Sequence, residues 1–179
     1  SIIHGLCTRD NINSVHADIL KLSIDPFNDG VYAYEFFVTA SGVQGDQRVT
    51  PEGNSLNWDA VWKSEVSISQ EGWFIEMKIP FSALRFPNTE VQNWGVNVWR
   101  LIRRNREWST LNYIDNKKEN EIAQAAILRG IEGVKPPLRL ALYPYISSYA
   151  ENPADQSGIN YSFNYGADLK YGINESFTL

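Results

Sequence analysis

The chain has 179 residues, 43% of them hydrophobic and 21% charged, as is typical of a folded protein rather than a disordered one. Its net charge of −5 argues against nucleic-acid binding, because neutralising phosphates requires a basic surface. No stretch has the roughly 18 consecutive apolar residues of a transmembrane helix. The single cysteine, Cys7, excludes an internal disulfide.

The first predicted element is a β-hairpin. Leu20, Leu22 and Ile24 alternate with polar residues, which is the pattern of a half-buried strand. The segment 25–30, Asp-Pro-Phe-Asn-Asp-Gly, consists mainly of turn-forming residues. Every second residue from 32 to 38 is then apolar, so we predict a second strand that pairs with the first.

The next segment, 41–57, is rich in Gly, Ser, Asn and Gln. Such a composition is typical of a loop, and we predict a long surface loop there, with room for a short strand at 44–49. Alternation resumes in 65–69 and in 73–79, on either side of a Gln-Glu-Gly turn. This pattern predicts a second hairpin, which ends at Pro80 because proline cannot donate to a strand ladder.

The second half of the N-terminal region contains one more strand and the one candidate helix. Trp94, Val96 and Val98 begin a strand that is predicted to run towards residue 103. Segment 118–128 is the only stretch with helical character, and we predict a short helix there. The Gly- and Pro-containing stretch 130–137 then breaks the pattern. We therefore predict two domains, residues 1–134 and residues 135–179.

The C-terminal segment has a longer and stricter alternation. Eight apolar residues occupy every second position from Ile159 to Ile173, and polar residues or glycines lie between them. A soluble strand has about five or six residues, whereas a transmembrane barrel strand needs about nine to eleven. The pattern therefore favours a lipid-facing strand, the alternative being a long edge strand of a soluble sheet. A similar strand around 138–146 precedes it, the polar segment 151–158 joins the two as a loop, and 177–179 begins a third strand.

The order of several motifs resembles carbohydrate-binding family 9-like domains, in a subgroup from Gram-negative bacteria that precedes an outer-membrane barrel. The motifs lie at 23–30, 34–38, 42–44, 58–62, 72–86 and 94–97, followed by the Arg-rich strand 100–105 and the linker 130–137. The resemblance implies an all-β fold, an antiparallel β-sandwich of the family 9 or DOMON-like kind, followed by the first strands of a β-barrel. Because the family has strands upstream and a complete barrel, we expect the chain to be a piece of a longer protein.

The resemblance also implies a sugar-binding heritage, and tryptophans are the natural candidates because sugar rings stack on indoles. Trp58 and Trp62 lie in a polar segment near Asp59 and Arg48, whose side chains can bond hydroxyl groups. The alternative is that Trp58 or Trp62 closes one end of the sandwich core.

A second candidate is the basic and aromatic cluster that ends the strand beginning at Trp94. Guanidinium groups bind carboxylates and polyols with paired hydrogen bonds. Arg103 and Trp108 are the predicted ligand-binding members, beside Arg100, Arg104 and Arg106. The alternative is a solvated strand face without a ligand.

No cofactor is expected. Asp25 could begin a calcium-binding loop, but an EF-hand needs an oxygen ligand at position 27 and a glutamate at position 36. The chain has Phe27 and Phe36 there. We therefore interpret the segment 25–30 as a turn, and an isolated calcium site is the alternative. His4, Cys7 and His16 lack zinc spacing, and no motif for a hydrolase triad or a phosphate loop is present.

Three functions remain in contention from the sequence. The favoured one is a non-catalytic domain that captures oligo- or polysaccharide for carbohydrate catabolism, in the periplasm or at the cell surface, with the C-terminal strands in outer-membrane lipid. The second is a structural or plug module of an outer-membrane protein. The third is a glycosyl-bond hydrolase, which predicts two carboxylates about 5–10 Å apart in one cleft.

Overall fold

The computed structural model describes residues 2–55, 58–118, 120–136, 140–151 and 159–171. It is an all-β structure with antiparallel sheets and almost no helix. The strands are β1 (Ile19–Asp25), β2 (Ala33–Thr39), β3 (Gln44–Thr50), β4 (Gly53–Ser55), β5 (Lys63–Ile68), β6 (Trp73–Lys78), β7 (Val91–Ile102), β8 (Glu107–Thr110), β9 (Ala126–Glu132), β10 (Leu140–Glu151) and β11 (Asn160–Tyr171).

The chain divides into two compact units, Ser1–Pro136 and Pro137–Leu179. Unit 1 contains β1 to β9, and unit 2 contains β10 and β11. The boundary expected from the sequence, after residue 134, lies two residues before this division. Within the described residues, no helix has the length and apolar character needed to cross a lipid bilayer.

A large sheet in the order β4-β3-β2-β1-β7-β8 dominates unit 1, and β9 also pairs with β7. The predicted hairpin of β1 and β2 is confirmed, with Leu22 opposite Phe36. On its other edge β1 pairs with β7, where Leu22 lies opposite Val98. The second predicted hairpin, β5 and β6, forms a separate two-stranded sheet.

One face of the large sheet carries the main hydrophobic core. The buried side chains on this face and beside it include Ile24, Phe36, Val38, Leu84, Phe86 and Trp94. Apolar side chains of the β5–β6 sheet pack against them, namely Val66, Ile75 and Met77. This face is called the core face below. The fold therefore buries it between two antiparallel sheets, because alternate residues of each strand point towards the same layer.

The opposite face of the large sheet is only partly covered. Ile12, Val15 and Ala17 from the N-terminal segment pack there against Ile19 and Leu101. The same face continues past this second cluster as an open groove of about 910 Å³. The sheet thus has a core face and a groove face, and alternation along each strand decides which residues lie on which.

The short strand allowed at 44–49 within the predicted loop 41–57 forms as β3, whereas the loop prediction is wrong at Gly53–Ser55, which form β4. Asp46 and Gln47 are buried despite their polarity. Gln47 lies opposite Glu35 of β2, and Arg48 lies opposite Tyr34. The backbone pairs with β2 from residue 44 to residue 49, and the buried side chains of Asp46 and Gln47 have hydrogen-bond partners. These hydrogen bonds allow a strand with buried polar side chains to form.

The predicted helix at 118–128 is also wrong. Only Ile122–Gln124 form a short 3₁₀ turn, and β9 begins at Ala126. Ala126 pairs with Val96 of β7, and Leu128 pairs with Trp94. Strand pairing with a sheet edge more than two dozen residues away supersedes the weak local helical preference.

Unit 2 is a hairpin of two strands of 12 residues each. Their register places Leu142 opposite Leu169 and Ile146 opposite Tyr165 on one face, which is almost wholly apolar. Tyr145 lies opposite Gly166 on the other face, where a Cβ at position 166 would overlap the tyrosine ring. The predicted positions Leu138 and Ile173, most of the polar loop, and the third strand at 177–179 lie outside the described residues.

Candidate functional site

The predicted ligand residue Trp62 belongs to the core. It is only 5% exposed, and its ring lies edge-on against Phe36 with centroids 5.2 Å apart. Its Nε1–H donates a 2.9 Å hydrogen bond to Oδ2 of Asp46. The same carboxylate accepts hydrogen bonds from the Ala60 backbone N–H and from Nη2 of Arg9. This burial argues against a sugar-stacking role for Trp62, since neither face of the indole is accessible.

Trp58 is half-buried and packs beside the same core. Its ring centroid lies 4.8 Å from that of Tyr34 and 5.8 Å from that of Phe36. The neighbouring Asp59 is mostly exposed, and its Oδ1 accepts a 3.0 Å hydrogen bond from Arg9. The contacts of Trp58 are those of a ring that closes the edge of the core, which is the alternative interpretation from the sequence.

Arg48 lies on the core face of the sheet. It is one residue from Gln47, which lies on the groove face, and two residues from Asp46, which bonds to Trp62 in the core. Alternation along β3 therefore directs Arg48 to the side of Asp46. Trp58, Trp62, Asp59 and Arg48 thus do not line the groove, whereas Arg103 and Trp108 do.

The floor of the groove is a row of hydrogen-bonded polar side chains on β1, β2 and β3. Nζ of Lys21 lies 2.8 Å from Oε1 of Glu35, and Nε2 of Gln47 donates a 2.5 Å hydrogen bond to Oε2 of Glu35. The adjacent strands bring these residues together, because Glu35 lies directly opposite Gln47 and beside Lys21. A buried row of this kind is rigid, since each member fixes its neighbour.

Two tryptophans form the wall of the groove next to this row. Trp99 of β7 lies opposite Lys21, whose Nζ is 4.4 Å from the centre of the indole ring. Trp108 of β8 meets Trp99 nearly at right angles, with centroids 6.4 Å and planes 82° apart. Trp108 is 47% exposed, so part of its ring is free to contact a ligand. The two rings make an aromatic corner beside a polar floor.

Two arginines flank the aromatic corner at the turn between β7 and β8. Arg103 and Arg106 both line the groove. The backbone N–H of Arg103 donates a 2.9 Å hydrogen bond to Oδ1 of Asp18, and that of Arg106 donates to the Arg103 carbonyl. These bonds hold the turn in place beside β1. Arg100, by contrast, is an odd number of residues from Trp99 and Arg103 and lies on the other face.

Asn97, another polar residue of the groove, has a structural role. Oδ1 of Asn97 accepts a 3.0 Å hydrogen bond from the Asn112 backbone N–H, and its Nδ2 donates to the Asn112 carbonyl. Both oxygens of Glu35 are occupied by Lys21 and Gln47. Glu121 is the second carboxylate at the groove. The hydrolase hypothesis remains a prediction, with Glu35 and Glu121 as the pair it would have to use.

The carboxylate of Asp25 forms hydrogen bonds within the turn that follows β1. Asp25 is buried, and it accepts hydrogen bonds from the backbone N–H groups of Phe27, Asn28 and Gly30. Burial raises the pKa of Asp25, and the nearby charge of Asp29 adds to this, while the backbone hydrogen bonds oppose it. Within the part of the chain that the structure describes, no three His, Cys, Asp or Glu side chains are grouped as metal ligands.

Sequence reasoning missed most of the groove. Lys21, Glu35 and Gln47 look like ordinary solvent-facing residues of alternating strands, and the sequence alone does not assign Trp99 to either face of the sheet. These residues can be assigned to a face by the alternation of side chains along each strand. Trp99 is two residues from Leu101 and from Asn97, and all three lie on the groove face. That alternation becomes informative only when the strand neighbours are known.

The comparisons with known proteins concern the C-terminal unit. Residues 136–179 match a family described as Domain of unknown function (DUF5916), which is about a quarter of the chain. No curated protein and no solved structure matches the chain.

Proposed function

We propose that unit 1 is a non-catalytic carbohydrate-binding domain and that its groove holds an oligo- or polysaccharide. The observation that carries this proposal is the half-exposed ring of Trp108 at a corner with Trp99, beside the fixed polar row of Lys21, Glu35 and Gln47. A sugar ring has apolar C–H faces and polar hydroxyl edges. A site that suits it has an aromatic wall and rigid hydrogen-bonding groups side by side.

The fold of unit 1 supports this proposal. Two antiparallel sheets enclose one core and leave the far face of the larger sheet open. We identify this arrangement with the β-sandwich of carbohydrate-binding family 9-like and DOMON-like domains, on the sequence motifs described above. The location of the binding face differs from that expected from the sequence, since Trp99 and Trp108 replace Trp58 and Trp62 as the stacking residues.

We further propose that β10 and β11 are strands of an outer-membrane barrel, and that the whole protein captures glycan at the outer membrane. At about 3.3 Å per residue, 12-residue strands extend about 40 Å, which a tilt of about 45° reduces to about 28 Å. This length suits the roughly 25 Å apolar band of such barrels. The apolar face is exposed in β11, where Tyr165 is 85% accessible. The proposal requires partner strands along both outer edges of the hairpin.

A structural module without sugar binding is the second candidate. The burial of Trp62 and the half-burial of Trp58 favour it, because the two tryptophans first assigned to a ligand have packing roles instead. The two candidates make different predictions for the groove. The first predicts that the groove binds a sugar, and the second predicts that it binds no ligand.

Calorimetric titration of the protein with cello-, xylo-, glucuronate and galacturonate oligosaccharides tests the proposal. At least one of them is expected to bind, and Trp108→Ala is expected to weaken binding about tenfold or more, equivalent to ~1.4 kcal/mol. Trp58→Ala is the matched control and should retain the affinity of the parent. The absence of binding to every sugar, or a loss confined to Trp58→Ala, would refute the assignment of the groove.

A further inference from the structure

The charges in the groove are unevenly distributed. Its lining contains three cationic side chains, Lys21, Arg103 and Arg106, and two carboxylates, Glu35 and Glu121. Lys21 and Glu35 are paired with each other. Neither Arg103 nor Arg106 takes part in an ion pair found among the described residues. The turn beside β8 therefore brings two arginines without an ion pair to the groove, in a chain whose net charge is −5.

Both arginines belong to the turn that joins the two strands of the aromatic corner. Arg103 follows Leu101 on the groove face of the sheet, and its backbone is fixed to Asp18. Arg106 has a φ of 55°, a left-handed conformation that non-glycine residues rarely adopt. A glycine would fit this position of the turn more easily. The arginine side chain is therefore not needed for the turn, and it places a second positive charge at the groove beside Trp108.

We propose that the groove selects acidic saccharides, with a uronate carboxylate bound by Arg103 and Arg106 while the sugar ring stacks on Trp108. This inference rests on the proposed sugar-binding function and specifies its ligand class. A carboxylate offers two coplanar oxygens that match the donor geometry of a guanidinium group. A neutral sugar would leave both positive charges without a partner, so it gains the stacking contact but not the ionic one.

The test compares sugars that differ only in the carboxylate. Oligomers of glucuronic acid and of galacturonic acid are titrated against the protein, each beside its carboxyl-reduced neutral counterpart of the same length. At least one acidic oligomer is expected to bind about tenfold or more tightly than its neutral counterpart, and added salt should weaken only the acidic one. Equal affinity within both pairs overturns the inference and leaves the sugar-binding proposal standing.

Variants of the turn provide the second readout. Arg103→Gln and Arg106→Gly are each expected to reduce the affinity for the acidic oligomer several-fold more than the affinity for its neutral counterpart. The Arg106→Gly change suits the left-handed backbone, so loss of folding does not account for the result. Arg104→Gln is the matched control, because Arg104 belongs to the same turn but is exposed and does not line the groove. An unchanged preference in both variants, or an equal loss in the control, overturns the inference. Failure of every oligomer to bind removes the sugar-binding proposal as well.

Discussion

At the scale of single residues, buried polar groups determine which tryptophans belong to the core. Asp46 is almost inaccessible and accepts hydrogen bonds from Trp62, Ala60 and Arg9. A buried carboxylate is tolerated only when its oxygens have such donors. The sequence around Trp62 is polar and suggests exposure. The partner that contradicts this suggestion lies 16 residues away in β3, at a distance that local patterns do not reveal.

The Trp62→Phe substitution should therefore destabilise unit 1. It keeps an aromatic ring but removes the hydrogen bond to a charged acceptor, at a cost of ~2 kcal/mol. Urea unfolding followed by tryptophan fluorescence measures this, since all six tryptophans lie in unit 1. Trp108→Phe is the control and should change stability by less than ~0.5 kcal/mol. Equal effects of the two substitutions would contradict the role assigned to Asp46.

Asp25 should give unit 1 a distinctive dependence on pH. Because burial raises its pKa in the folded chain above the ordinary value of 3.8, the folded state binds this proton more tightly than the unfolded state. The contribution of Asp25 to stability is therefore fully present at low pH and is lost as pH rises through the raised pKa. The stability of the parent relative to Asp25→Asn should decrease as the pH rises from below 3.8 through the raised pKa. A relative stability that stays constant or increases with pH in urea titrations would disprove this.

At the scale of elements, local periodicity predicted the hairpins and failed where pairing is non-local. The alternation from 159 to 171 is self-contained, and β11 follows it closely. In contrast, β3 consists mostly of polar residues and depends on β2, so its own sequence indicated only a possible short strand within a loop. Strand β9 depends on β7, and its own sequence indicated a helix. Tertiary pairing decides such segments, because intrinsic preferences differ by no more than about 1 kcal/mol per residue.

The two faces of the C-terminal hairpin should respond differently to charge. Tyr165 lies on the apolar face and Asn164, its neighbour, on the polar face. A lysine facing lipid costs about 2–4 kcal/mol at the bilayer midplane, whereas one facing a lumen is tolerated. Tyr165→Lys should strongly reduce the amount of folded protein in the outer membrane of a Gram-negative host. Asn164→Lys should assemble at the level of the parent, as assayed by resistance of the membrane fraction to urea extraction. Equal assembly of the two variants would refute a lipid-facing hairpin.

At the scale of the whole molecule, the sequence indicated only part of the groove lining. Arg103 and Trp108 were identified from their own cluster, because both lie on one short segment. The groove floor combines Lys21, Glu35 and Gln47 from three strands, and each is unremarkable alone. Only the antiparallel register of the sheet places them beside Trp99. An all-β fold with two units was within reach of the sequence, whereas the choice of the proposed binding face required the topology.

The most direct measurement is nuclear magnetic resonance of the indole N–H groups in protein labelled with ¹⁵N-tryptophan. The six tryptophans give six separate reporters, assigned by single Trp→Phe substitutions. Addition of an oligosaccharide that the protein binds is predicted to shift the signals of Trp99 and Trp108. The signals of Trp62 and Trp94, which are both buried in the core, should not change. Shifts centred on Trp58 and Trp62, with Trp99 and Trp108 unaffected, would contradict the account.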